Sequence, residues 1–330
     1  MRKTVCATLA VMMSVLFSPL SQAGQAWESY KARFFKPEGR IVDTGNGGVS
    51  HTEGQGFAML MAVANDDKAT FDKLWQWTNR ELKNKENGLF YWRYNPAESN
   101  PVADKNNAAD GDVLIAWALL KADARWHEKR YGAASDAITK ALVAHSVIRY
   151  AGYRVMLPGV QGFKLDGEAI LNPSYFVFPA WQAFAGRSHL PVWRDLIKDG
   201  KRLLGKMGSG KADLPADWVS LASDGKLAPA TGWPPRMSYD AIRIPLYLAW
   251  SDKQSPLLTP WKAWFGQFPR EQTPAWVNVI TNEYAPYMME GGLLAVRDLT
   301  MGQSSGEPEI TSKDDYYSAS LKMLVWISAQ

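Results

Sequence analysis

Four stretches of this chain are apolar nearly all the way round at helical spacing: "FAMLMAVA" (57–64), "VLIAWALL" (113–120), "AIRIPLYLAW" (241–250) and "LKMLVWISA" (321–329). A helix of that kind has no face to offer water and must be packed on every side. Other segments keep the same period but carry one charged face, among them "FDKLWQWTNRELK" (71–83) and "VWRDLIKDGKRLL" (192–204), as outer helices do. Helical spacing also runs through "AASDAITKALVAHSVIRY" (133–150). Strand-like runs are few and short, "LFYWRY" (89–94) and "YRVMLPG" (153–159). The predicted class is all-α. Buried and one-faced helices alternate, which suggests helical hairpins arranged as an inner ring inside an outer ring. Helix content alone also allows a bundle or a solenoid, but no fixed repeat supports the solenoid.

The N-terminus has a different character. Arg2 and Lys3 precede the apolar run "VCATLAVMMSVLF", and "SQA" stands before Gly24. That pattern predicts a signal peptide over residues 1–23 and a secreted or periplasmic protein. The run is short for a membrane span, and no later segment approaches about 20 apolar residues. The single cysteine, Cys6, lies inside this leader, so the remaining chain needs no disulfide. Removing Arg2 and Lys3 with the leader leaves 35 basic residues against 33 acidic ones. Such a balance gives no electrostatic footprint for nucleic acid or an acidic membrane. No Pro- or Ser-rich linker divides residues 24–330, which predicts one domain, read here as a monomer. His51, His127, His145 and His189 lack ligand spacing, and "GNGGVS" (45–50) lacks a phosphate-loop pattern, so neither a metal nor a cofactor is predicted. Fifteen tryptophans are the outlier of the composition; aromatic faces hold sugar rings, although most of them fill cores.

Acidic residues recur where the buried helices begin. Glu53 lies in "SHTEGQGFAML" (50–60), Asp110 and Asp112 in "NNAADGDVLIAW" (106–117), and Asp240 in "RMSYDAIRIPLYLAW" (236–250). If the inner helices run parallel, these carboxylates meet at one end of the ring. Asn172 and Tyr175 in "NPSYF", and Tyr316 and Tyr317 in "DDYYSASL", open other helices of the set. Each acid also has a plain reading. Ser50 to Glu53 fits an S-x-x-E capping box, and first-turn acids are favoured by the helix dipole by about 0.3–1 kcal/mol. A helix start also favours the ionised carboxylate, so a proton donor at Glu53 would need burial or a nearby aspartate to oppose it. Gly54 and Gly56 would let a bulky ligand approach bare backbone. "DGD" is a poor helix start unless Gly111 serves close packing.

At these residues the sequence resembles glycoside hydrolase family 8, and within it the bacterial endoglucanases associated with cellulose synthesis. "HTEGQGFAML" resembles the family segment around the proton donor, and "AADGDVLIAWALLKADARW" the family signature A-[ST]-D-[AG]-D-x-x-[IM]-A. "NPSYF" and "SYDAIR" are two further landmarks, and the likeness runs from about Trp27 to the C-terminus. Two departures stand out: Ala109 replaces a Ser or Thr that could orient Asp110, and "GFAM" replaces "GYGM". The resemblance implies an (α/α)6 barrel that hydrolyses β-1,4-linked glucan with inversion, in functional association with a cellulose synthase. It implies Glu53 as general acid and Asp240 as base. Asp110 would bind and distort the sugar beside the scissile bond, or alternatively serve as the nucleophile. Inversion requires carboxyls about 6.5–9.5 Å apart, leaving room for water. Trp92 and Trp233 are candidates for stacking on glucose, with core packing as the alternative. Arg243 would hold Asp240 or a sugar hydroxyl, and Asn172, Tyr175 and Tyr316 would line the cleft. Asp112 reads as support or helix start, and His51 as a loop residue able to tune Glu53. Chitosan, xylan or mixed-linkage glucan are alternative substrates. Other readings are a non-hydrolytic cellulose-binding accessory and a lyase using a tyrosine or histidine base.

Overall fold

In the computed structural model, residues 24–303 and 306–330 are described; the predicted leader, residues 1–23, lies outside them. Eleven α-helices occur among the described residues: α1 Gln25–Phe34, α2 Thr52–Ala64, α3 Lys68–Glu81, α4 Ala109–Trp126, α5 Lys129–His145, α6 Phe178–Ser188, α7 Pro191–Leu204, α8 Arg243–Ser251, α9 Thr259–Phe265, α10 Gly291–Thr300 and α11 Tyr316–Ser328. The stretches without a polar face become inner helices. α2 packs on α4, α4 on α6, α6 on α8, α8 on α10, α10 on α11, and α11 closes back on α2. Outside this ring, α3 covers α2, α5 covers α4, α7 covers α6, α9 covers α10 and α1 covers α11. The fold is an (α/α)6 barrel. Between α10 and α11, residues 301–303 and 306–315 hold no helix; the Glu307 carboxylate accepts from Ala26 N at 2.7 Å and Ser312 O accepts from Arg33 at 3.3 Å, which ties this segment to α1. No helix among the described residues is long and apolar enough to cross a membrane.

The inner helices are parallel, and glycine shows why two of them come so close. A Cβ on Gly111, in the first turn of α4, would stand 2.0 Å from Thr52 Oγ1 at the start of α2. One turn on, a Cβ on Gly56 would stand 2.5 Å from the Leu114 Cβ. Start meets start, so α2 and α4 run in the same direction. Gly54 likewise touches the Tyr316 ring at the start of α11, its Cβ position 2.8 Å from the hydroxyl. Gly54 and Gly56 therefore admit neighbouring helices, not a ligand, which corrects the expectation from sequence. Gly111 serves the close packing that "DGD" requires. Gly56→Ala is expected to destabilise the protein by about 1–3 kcal/mol, because the new methyl also lies 3.2 Å from Ile115 N in a well-filled layer. Urea unfolding measures this, and an unchanged midpoint would mean the helices part freely.

Strands are short and sit at the rim. Ser50–His51 pairs antiparallel with Arg93–Tyr94, so Thr52 N donates to Trp92 O at 3.0 Å and fixes Trp92 beside the start of α2. Val147–Tyr150 pairs with Tyr153–Met156. The first of these was expected as helix; β-branched Val147 and Ile148 favour the strand once a partner is present. A three-stranded sheet of Glu168–Leu171, Val219–Ala222 and Leu227–Pro229 was not read from the sequence.

Candidate active site

The starts of α2, α4 and α8 meet around one guanidinium. Arg243 opens α8 and its side chain is 4% exposed. It donates to Glu53 Oε2, to Asp240 Oδ1 at 2.8 Å and to Ser174 Oγ at 2.8 Å, and lies 4.0 Å from Asp110 Oδ2. Like charges repel, and the guanidinium offsets that repulsion among three carboxylates from distant parts of the chain. Buried charge also has to be paired to be tolerated.

Glu53 occupies the second position of α2, and the expected capping box is absent. The cap is His51, whose Nδ1 accepts from Gly54 N at 3.2 Å while Nε2 faces Asp43 Oδ2 at 3.2 Å. Ser50 is buried in the strand pair and donates to Ile41 O at 2.5 Å. A histidine cap relieves Glu53 of that task and leaves its carboxylate for Arg243.

Asp240 lies in the turn before α8, three residues ahead of its first residue. Asn172 Nδ2 donates to its Oδ2 at 3.2 Å. The amide is oriented by Ser174, whose N and hydroxyl donate to Asn172 Oδ1 at 3.0 and 2.6 Å. Burial raises the proton affinity of Asp240, and the charges of Asp217 and Asp110 raise it further. Burial acts in the same direction on Asp110, whose Oδ1 accepts from Gly111 N at 2.8 Å in its own turn. Ala109, fully buried, supplies no hydroxyl. Asp240 keeps a third of its side chain exposed, against 5% for Asp110, so Asp240 has the freer access to water. Asp112 is used structurally: it accepts from Phe90 N at 2.9 Å and Asn107 Nδ2 at 2.8 Å, and burial pushes it up to about 7.

Aromatic side chains form one wall. Trp233 stacks on Trp218, centroids 4.9 Å apart at 18°, and Phe163 stacks on Trp218 at 5.7 Å and 8°. Tyr175 meets Trp218 edge-on at 6.2 Å. Its hydroxyl is held firmly protonated by burial and by the charges of Asp110 and Asp240. That suits a neutral hydrogen-bond donor and runs against a tyrosine base. Trp92 is half-buried, its indole N–H on Asp104 Oδ2 at 2.7 Å. Tyr316, expected in the cleft, is 1% exposed and packs on His51 and Phe34 beneath α2. The next residue faces Arg243 instead: the Tyr317 ring lies 6.0 Å from the guanidinium and its hydroxyl donates to Tyr239 O. A hundred-degree helical step separates the two tyrosines, and either could have been the inward one from sequence.

Ser174, Trp218, Asp217 and Tyr317 were missed as site residues. Ser174 and Tyr317 adjoin residues already singled out, whereas Trp218 and Asp217 lie in a segment with no periodic signal. The assembled site offers carboxylates of unequal exposure, one buried cation and a stacked aromatic face, which suits acid–base chemistry on a sugar chain.

Across residues 1–330 the sequence matches the family described as Glycosyl hydrolases family 8. The chain belongs to that family. Among its relatives is an endoglucanase of Cellulomonas uda, 61% identical over 92% of this chain and 84% of the relative. A probable endoglucanase of Novacetimonas hansenii is 40% identical over 92% of this chain and 90% of the relative. The crystal structure of an endoglucanase from Klebsiella pneumoniae, described as a family 8 glycosyl hydrolase, superposes with a TM-score of 0.92 at 65% identity, covering 93% of this chain and 99% of that one.

Proposed function

We propose that this protein is an endo-1,4-β-glucanase that cleaves internal bonds of a cellulose-type chain with inversion. The observation that carries the reading is the gathering of Glu53, Asp110 and Asp240 around Arg243 beside the stacked rings of Trp218 and Trp233. The family and the endoglucanases similar to the chain support the substrate class. Glu53 protonates the glycosidic oxygen as its bond to the anomeric carbon breaks. Asp240 takes a proton from the water that attacks that carbon from the opposite face. Asp110, deeper and less exposed, binds the sugar at the reacting position. Donation requires a protonated Glu53 free of the guanidinium, so entry of a sugar ring parts Glu53 from Arg243 while Asp240 keeps it. Trp92 and Trp233 provide stacking faces, with Asn172 and Tyr175 placing Asp240 and its water.

The test is reducing-end release from carboxymethylcellulose, with xylan, chitosan and mixed-linkage glucan as parallel substrates. Preferential release from the cellulose derivative is expected. Preference for another polymer would move the substrate assignment, and tight binding without release from any would favour a non-hydrolytic accessory. Proton NMR of the first product should show the α-anomer; a β-anomer would contradict the assignment of Asp240 as base to water. Arg2, Lys3 and the apolar run after them support export. Export would place the enzyme where a cellulose synthase delivers its chain, and we extend the proposal to a functional association with such a synthase.

A further inference from the structure

We propose that Asp217 is a positioning residue for Asp240, fixing the turn that carries it and supplying the negative field in which it works as a base. The inference rests on the reading of Asp240 as that base. Asp240 sits between the short strand Arg236–Met237 and α8, with no helix or long strand to hold it. Asp217 brackets the turn from both sides. Its Oδ1 accepts from Ser238 N at 2.9 Å and Ala241 N at 2.8 Å, and its Oδ2 accepts from the Ser238 hydroxyl. In return its own N donates to Arg236 O at 2.7 Å. One side chain thus restrains residues 238 and 241, which leaves the backbone at Asp240 little freedom.

Three donors face this carboxylate, so its bonding favours the ionised form. Burial opposes that and raises its proton affinity; the nearby Arg236 guanidinium lowers it. Of the charges that raise the proton affinity of Asp240, that of Asp217 is the largest, ahead of Asp110. Asp240 also faces Arg243, the Asn172 amide, the Trp218 indole and the phenols of Tyr175 and Tyr317, with Glu53 beyond Arg243. A base next to a negatively charged carboxylate holds a proton more tightly, which strengthens it toward water. The cost is earlier loss of activity as the pH falls.

Asp217→Asn keeps the Oδ1 acceptor, removes the charge and replaces the Oδ2 acceptor of the Ser238 hydroxyl with an N–H donor. Its acid limb of kcat/KM should move down by about one pH unit, with kcat lowered several-fold and KM little changed. Ser238→Ala keeps the charge and removes one bond; kcat should fall several-fold with the limb unmoved. Asp240→Asn, measured alongside, should be inactive. An active Asp240→Asn would remove the reading on which the inference stands. With Asp240→Asn inactive, superimposable pH profiles for wild type and Asp217→Asn would overturn the field. Should Asp217→Asn fail to fold, an unchanged kcat in Ser238→Ala would overturn the positioning.

Discussion

Glu53→Gln should lose reducing-end release from carboxymethylcellulose by about 10³-fold, within the range general acid catalysis supplies. Glutamine keeps the length and shape of the side chain, and α2 is capped by His51, so the helix start does not depend on the lost carboxylate. What is removed is the proton. KM should change little, because the sugar-binding faces are untouched. An aryl cellobioside with an acidic phenol needs no protonation of its leaving group and should lose far less rate. Equal loss on both substrates would point to a misfolded or blocked cleft, and equal activity of variant and wild type on the polymer would remove Glu53 from the chemistry.

The second large effect is expected at Arg243. Arg243→Met takes the guanidinium from Glu53, Asp240 and Asp110 and strips a donor from Ser174. Breaking a buried ion pair by deleting one partner costs about 3–5 kcal/mol, since the remaining charge stays buried and unpaired. The loss should depend on pH with a definite sign. Asp110 and Asp240 already hold their protons above the ordinary carboxylate range through burial, and without the guanidinium they hold them more tightly. The native variant then binds more protons than its unfolded chain, so its stability falls as pH rises through those folded-state values. The deficit relative to wild type should therefore be largest above about pH 7 and shrink as the pH falls below it, where both proteins hold these protons. Urea midpoints measured across that range check it. A deficit that stays constant, or grows in acid, would mean that Arg243 contributes packing and not charge compensation. Arg243→Lys should recover little, because one ammonium cannot bridge three partners as a planar guanidinium does.

Some of the site was legible because it rests on local chemistry. Acids at the starts of helices without a polar face can be read from spacing, and those spacings place Glu53, Asp110 and Asp240 where the chain begins an inner helix. Trp218 and Asp217 were not legible. They lie just before the strand Val219–Ala222, in a stretch with neither helical nor strand period, and matter only because that sheet brings them against the 238–241 turn. Tyr316 and Tyr317 show the limit at single-residue scale: the pair was visible, but which ring turns inward depends on how α11 is rotated against α2, and the contact with Gly54 fixes that rotation. Ser50 shows another. Its capping pattern is genuine as sequence, yet pairing of Ser50–His51 with Arg93–Tyr94 takes the hydroxyl into the core and hands the cap to His51.

By itself the sequence determined the helical class and the alternation of inner and outer helices, because a helix apolar on every side has no stable place except inside. It also determined that acids stand at the helix starts, where backbone N–H groups favour them. Only the tertiary structure decided which of those acids share a cation and which, like Asp112, are spent on holding a loop. That choice depends on side chains more than a hundred residues apart reaching the same few ångströms, as Glu53 and Arg243 do. Local spacing carries no information about such a meeting; the closure of the helix ring does.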